Sequence, residues 1–293
     1  MSLRGKLILL LAIPVVHSAH SQMTNWRARW LGCLGTHVVA NSEATREYLI
    51  HTLRVRPEHI TVILDAPKFM AVPSTADIER VRTEFGYTSD QPVLVCLGRL
   101  TDEKGHAVLL QALASIRREF PRVRLLVVGK GHLRRELESL TQALRLDDVV
   151  TFTGYRDDVS ALLCAATVAV HPSLSDASPF TNIECLRLGV PVVSTEVGGI
   201  SEVIRDGETG ILVPRNDAPA LAEAVCRALR DPKAVRAFTE TGQAEVAARF
   251  SPAVMCQRYE AYFAAVLRRS LRPGLDAAAD ISSCEPAQGI GGT

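Results

Sequence analysis

The chain has 293 residues, 47% hydrophobic and 22% charged, the profile of a soluble globular protein long enough for two ordinary domains. A net charge of +1 and an aromatic content of 5% exclude any bulk electrostatic or base-stacking argument for nucleic acid. Seven scattered cysteines (Cys33, Cys96, Cys164, Cys185, Cys226, Cys256 and Cys284) lack metal-type spacing and read as buried thiols of a reducing cytosol.

Arg4 and Lys6 precede the apolar run Leu7 to Val16, with small residues at Ser18 and Ala19, the outline of a secretory signal peptide. The run is too short to span a bilayer, and Pro14 interrupts it. It also reads as a helix end followed by a buried parallel strand, Pro14 to His17, and that reading is preferred. Thr36 to Ala40 is short and β-rich, and Asn41-Ser42-Glu43 caps a helix through about Leu53. His59 to Leu64 is a β-branched run. Asp65 to Ser74, with Pro67 and Pro73, is a linker, and a helix follows near Thr75 to Phe85.

From Pro92 the alternation becomes regular. Strands are expected at Val93 to Leu97, Arg124 to Val128, Val149 to Phe152, Val168 to His171, Pro191 to Ser194 and Gly210 to Val213. Helices are expected at Lys104 to Phe120, Leu133 to Leu144, Val159 to Ala165, Phe180 to Leu188 and Pro219 to Leu229. Strands apolar on both faces, alternating with helices, imply a doubly wound parallel sheet of the α/β class. Ligands of such sheets bind beyond the carboxyl ends of the strands. The unusual residues of this chain fall at those ends.

Arg99 follows the first of these strands and Lys104 opens the next helix, an arrangement suited to a diphosphate. Taken alone, such a pair is more often solvated surface. Gly129 and Gly131 permit close backbone approach to a ligand, although many strand-helix turns use glycine only for tight geometry. Asp176 and Glu184 bracket a loop and a helix start, where carboxylates accept pairs of sugar hydroxyls and backbone N–H groups meet an anion. The bland alternatives are a loop acid for Asp176 and an exposed helix residue for Glu184, the second at odds with neighbours Cys185 and Leu186. Gly198-Gly199, ahead of Ile200-Ser201-Glu202, is a turn with or without a ligand.

In order along the chain these segments resemble the carboxyl-terminal half of the retaining glycosyltransferases of family 4, also called glycosyl transferases group 1, which have the GT-B fold. The matching pieces are Gly98-Arg99-Leu100 to Lys104-Gly105, Val127-Val128-Gly129-Lys130-Gly131, Phe152-Thr153-Gly154-Tyr155 with Asp157-Asp158-Val159, and His171-Pro172-Ser173. They continue with Asp176 to Glu184 as acid-x7-acid, Gly189 to Thr195, Gly198-Gly199, Glu202-Val203 and Asp206-Gly207-x-Thr209-Gly210. The resemblance implies that Arg99 and Lys104 neutralise the donor diphosphate, Glu184 holds the ribose and Asp176 meets the transferred sugar. Gly129, Gly131 and the segment Ser178, Pro179, Phe180 and Thr181 would line the donor. The family usually has Glu where Asp176 stands, which shortens the reach. More weakly, Pro14 to Ser21 resembles the strand ending in the family's active-site histidine, with His20 at its position.

The resemblance thus implies a GT-B molecule with one complete Rossmann-like domain over 76–250 and a partial, acceptor-side α/β domain over 1–75. A crossover helix over 251–269 and a disordered tail over 270–293 complete the expectation. The implied reaction moves a sugar from a nucleotide-diphosphate donor to an acceptor hydroxyl with retention, without metal or cofactor. The alternatives are an inactive nucleotide-sugar-binding fragment and a nucleotide-sugar epimerase of the same architecture. The implied partners are the donor, a glycan or lipid-linked acceptor, and a completing chain or second copy to cover the half-domain's exposed sheet edge. No nucleic acid is expected. The implied location is the cytoplasm, with the inner membrane face for a lipid-linked acceptor.

Overall fold

Parallel strands connected through helices run through both parts of the chain. The structure, a computed structural model, describes residues 16–19, 37–67 and 71–271, without the side chains of 16–19 and 269–271. Its amino-terminal unit holds β1 (Val16–Ala19), β2 (His37–Ala40), α1 (Glu43–His51) and β3 (Ile60–Val62). The strands form a parallel sheet in the order β1-β2-β3, with Val16 opposite His37 and Val38 opposite Ile60. The observed strand at Val16–Ala19 overlaps the expected one and extends two residues further. Among the described residues this unit's core is small: Val38, Ala40, Leu49 and Ile60.

After the linker, α2 (Thr75–Glu84) starts with a reciprocal capping box between Ser74 and Asp77. Six strands follow: β4 (Val93–Leu97), β5 (Arg124–Val128), β6 (Val150–Gly154), β7 (Val168–His171), β8 (Val192–Thr195) and β9 (Ile211–Val213). They pair in parallel in the order β6-β5-β4-β7-β8-β9, the doubly wound order whose direction of growth reverses between β4 and β7. Between them lie α3 (His106–Glu119), α4 (Arg134–Ala143), α5 (Val159–Ala165), α6 (Phe180–Arg187) and α7 (Ile200–Val203). The chain ends through α8 (Ala218–Arg230), α9 (Pro232–Arg249) and α10 (Pro252–Leu271).

Period-two alternation divides the strand side chains between two cores. Leu94, Cys96, Leu125 and Val127 face Leu109 and Leu113 of α3 and Leu221 and Val225 of α8. Val93, Val95, Leu126 and Val128 face Leu162 of α5, Ile183 and Leu186 of α6 and Val246 of α9. A fully buried leucine such as Leu113 contributes about 2–3 kcal/mol by leaving water. Cys96, Cys185 and Cys226 are buried as expected, and burial pushes the Cys96 thiol up to about 12. Cys256 is exposed, against the expectation.

Two expectations need correction. Lys104 does not open a helix: it closes a 3-10 turn, Asp102–Lys104, and α3 begins after Gly105. A helix cannot run straight through, because Gly105 adopts φ +64 and a Cβ there would lie 2.0 Å from the Pro172 carbonyl oxygen. The second is an omission: no element is expected over 232–249, where α9 stands as a separate helix after Asp231. The Asp231 side chain accepts from Ala234 N and caps it. The last helix, α10, returns to the amino-terminal unit, where Tyr262 and Val266 share a groove with His37, Thr61 and Ile63. This helix runs to Leu271, two residues into the tail expected over 270–293, and the rest of that tail, 272–293, lies outside the described residues.

Candidate functional site

The loops after β4, β5 and β7 meet above the switch point between β4 and β7. The first two are tied by backbone bonds from Gly98 N to Val128 O, Leu100 N to Lys130 O and Leu133 N to Leu100 O, all 3.0–3.1 Å. Gly129 has φ +140, and a Cβ there would lie 1.9 Å from the Gly98 carbonyl oxygen. A Cβ on Gly131 would lie 2.2 Å from that of Leu100. The close approach that these glycines serve is therefore to the neighbouring loop, which fixes the floor of the site.

Lys104 and Asp176, 72 residues apart, form an ion pair of 2.6 Å between Nζ and Oδ2. The Asp176 side chain is only 7% exposed and that of Lys104 20%. Ser173 Oγ donates weakly to the same carboxylate at 3.5 Å, and Gly199 N donates to Asp176 O at 2.9 Å, binding the β8–α7 turn to this loop. A pair this dry is costly to break, since losing one partner leaves an uncompensated buried charge. Arg99 stands apart: its side chain is 74% exposed and bonds to Glu103 at 3.1 Å.

Glu184 lies in the second turn of α6, facing away from the fully buried Ile183, Cys185 and Leu186. It is half-buried, and desolvation pushes its carboxyl up to about 7. Among the described residues no hydrogen-bond or ion-pair partner of this carboxylate is found. The same helix starts at Phe180 without a side-chain cap, behind Pro179. Phe180 is exposed and Thr181 half-buried.

Ser178, which the resemblance places along the donor, bonds to the amino-terminal unit: its Oγ accepts a short bond from Asn41 Nδ2. A second bridge comes from Glu202, whose two carboxylate oxygens accept Glu43 N and Ala44 N, each at 3.0 Å. The described residues thus bring Lys104, Asp176, Glu184, Gly129, Gly131 and the 178–181 segment to one end of the sheet. His20 lies outside the described residues.

Residue reasoning missed two buried imidazoles. His171 Nδ1–H donates to Asn182 Oδ1 at 2.6 Å, Asn182 Nδ2 reaches Ser194 Oγ at 3.4 Å, and Ser194 Oγ donates back to His171 O at 2.9 Å. This chain of bonds locks α6 to β7 and β8. His106 is buried with neither ring nitrogen partnered. Burial, with Lys104 nearby, holds both imidazoles down at about 4, so both are neutral. Also missed was Tyr155, 66% exposed at the end of β6, with Lys130 Nζ 5.5 Å above its ring. Only an exposed aromatic next to a strand-ending glycine could have flagged it.

Comparisons with known proteins show the family and the fold. Residues 77–245 match the family model of glycosyl transferases group 1, and residues 2–64 that of glycosyltransferase family 4. The alpha-D-kanosaminyltransferase of Streptomyces kanamyceticus is 29% identical over 214 residues, covering 72% of this chain and 54% of that protein. The D-inositol 3-phosphate glycosyltransferase of Corynebacterium kroppenstedtii is 32% identical over 200 residues, covering 64% and 44%. The chain thus spans about half the length of these relatives. Among solved structures, Anabaena Alr3699/HepE in complex with UDP and glucose superposes with TM-score 0.79 at 24% identity, covering 89% of this chain and 76% of that one. The sucrose-phosphate synthase of Thermosynechococcus elongatus superposes with TM-score 0.71 at 28% identity, covering 85% and 68%.

Proposed function

The chain belongs to the glycosyl transferases group 1 family, and from that membership we propose that it transfers a sugar from a nucleotide-diphosphate donor to an acceptor hydroxyl with retention of configuration. The observation that carries this reading is the meeting of Lys104 with Asp176 at the switch point between β4 and β7, on the loop that leads into the helix of Glu184, whose carboxylate has no partner among the described residues. Doubly wound sheets take their ligands at that point.

In this reading the donor lies across the loops after β4, β5 and β7. Glu184 accepts from the ribose hydroxyls, which supply the hydrogen bonds that its carboxylate lacks. The diphosphate draws the Lys104 ammonium toward itself, and Asp176, released in part, turns to the hydroxyls of the transferred sugar. Arg99 is exposed and free to swing from Glu103 to the leaving phosphate. The two cations stabilise the charge that develops on the departing nucleotide. Front-face substitution follows, with the departing phosphate taking the acceptor proton; to His20 the family resemblance assigns the holding of the transferred sugar. Charge neutralisation is assigned to Arg99 and Lys104 and not to a metal. HepE, whose structure contains UDP and glucose, supports a nucleotide-sugar as the donor class.

The test is calorimetric titration of the chain with UDP, GDP, ADP and their common sugar conjugates. Saturable binding of one nucleotide, lost in Glu184→Ala, is expected and names the base. A folded chain that binds none of them overturns the reading. For turnover, Arg99→Ala is expected to lower the rate by about ten- to a thousandfold, the scale of a removed charge-stabilising donor.

A further inference from the structure

The amino terminus of α1 is completed from the other unit. A helix leaves its first N–H groups without partners inside itself, and here those of Glu43, Ala44 and Thr45 are taken from outside the ladder, which begins at Arg46. Thr45 N is taken by Ser42 Oγ at 3.0 Å and Arg46 N by Ser42 O at 3.0 Å. The remaining two, Glu43 N and Ala44 N, are taken by the Glu202 carboxylate, 159 and 158 residues away, at 3.0 Å each. A carboxylate across two amides at a helix N-terminus is held by both charge-assisted bonds and the helix dipole. Beside it, the buried Asn41 is fixed by Thr45 Oγ1 and Asp65 and donates to Ser178 Oγ on the loop that carries Asp176.

We propose that Glu202 is a positioning residue: by capping α1 from the larger unit it sets the angle at which the amino-terminal unit faces the loops after β7 and β8. The inference rests on the donor reading above only in taking the space over those loops as the place of transfer. Two bonds to rigid helix amides define a direction as well as a distance, which a single flexible ion pair does not. A further polar bridge among the described residues, Asn41 to Ser178, ends on a loop side chain. The amino-terminal core among the described residues is small, so orientation falls to the contacts at this junction together with α10, which shares a groove with His37, Thr61 and Ile63.

The experiment uses the full chain, its Glu202→Ala and Glu202→Gln variants, residual dipolar couplings and amide exchange. In the wild type, couplings from 37–62 and from 93–250 fit one alignment tensor. In Glu202→Ala the two segments are expected to need separate tensors, and Glu43 and Ala44 to exchange at least tenfold faster, while Val93–Leu97 is unchanged. Glu202→Gln keeps one acceptor oxygen and should fall between the two, which guards against misfolding of the alanine variant. UDP affinity is expected to stay within twofold in both. One shared tensor in both variants overturns the proposal, whatever the exchange rates or the UDP affinity. Failure of the wild type to bind any nucleotide counts against the donor reading alone, because exchange and couplings still decide the role of Glu202.

Discussion

At the scale of single residues, the site concentrates groups whose surroundings disfavour their ordinary charge state. Glu184 is the clearest. Its folded carboxyl sits near 7 against an ordinary 4.5, so between those values the folded state holds a proton that the unfolded state has lost. Its contribution to stability is therefore complete below pH 4.5 and lost as pH rises through 7. Replacing it by Gln removes this penalty, and at pH 8 Glu184→Gln should be about 2 kcal/mol more stable than wild type, a value reduced for the solvent that still reaches the carboxylate. Urea melts at pH 4 and pH 8 check this, and an equal gain at both would sink the assignment. The same variant should lose nucleotide affinity, so that stability and binding move in opposite directions. Lys104 and Asp176 behave otherwise. Lys104→Met leaves Asp176 as a buried charge without its partner and should cost about 3–5 kcal/mol, most of it recovered by adding Asp176→Asn. Additive losses in the two single variants and the double would mean that the pair is not coupled.

At the scale of elements, what residue patterns announce is set by periodicity, and what they conceal is set by contacts between distant segments. The alternation of Leu94 and Cys96 with Val93 and Val95 marks a strand covered on both sides, because the two sets meet different helices. Ser42 announces α1 because a cap is local: its Oγ bonds three residues on. Lys104 was misread as a helix start because the obstacle is the Pro172 carbonyl, which no local pattern reveals. Gly129 likewise owes its glycine to a distant contact, the Gly98 carbonyl. Its physical role leads to a test by thermal melts. Gly129→Ala forces a Cβ against the Gly98 carbonyl at φ +140, and both strain and overpacking should cost about 3 kcal/mol or more. Lys130→Ala next to it loses only a contact over an exposed tyrosine and should cost under about 1 kcal/mol. Comparable losses at the two positions would mean that the loop gives way and the floor of the site is not fixed by this contact.

At the scale of the molecule, α2, the first helix after the linker, is anchored to the rest of the larger domain through charge. Arg156 bonds both carboxylate oxygens of Glu84 on α2 and also Asp158, which in turn holds Arg80. These pairs hold Asp158 well below the usual carboxylate range, so they persist over the range in which the buried imidazoles titrate. His106 and His171 have folded values near 4 against an ordinary 6.5, and the unfolded chain takes up their protons first. Each contributes stability that is present above pH 6.5 and lost as pH falls toward 4. Glu184 opposes them with one proton of opposite sign between 4.5 and 7. Between pH 6.5 and 4.5 the balance is thus two protons against one, and the wild type should lose about 1.4 kcal/mol per pH unit on acidification. Glu184→Gln removes the opposing proton, and its slope should be about twice as steep. His106→Phe removes one imidazole whose nitrogens have no partner, and its slope should be close to zero, with a net gain in stability below pH 5. Denaturant midpoints at half-unit steps from pH 7 to 4.5 measure all three slopes. Parallel curves for wild type and both variants would mean that these buried groups do not govern the acid limb. The predicted order, His106→Phe shallowest and Glu184→Gln steepest, would tie the acid tolerance of the whole chain to the two imidazoles near Lys104 and to the desolvated Glu184.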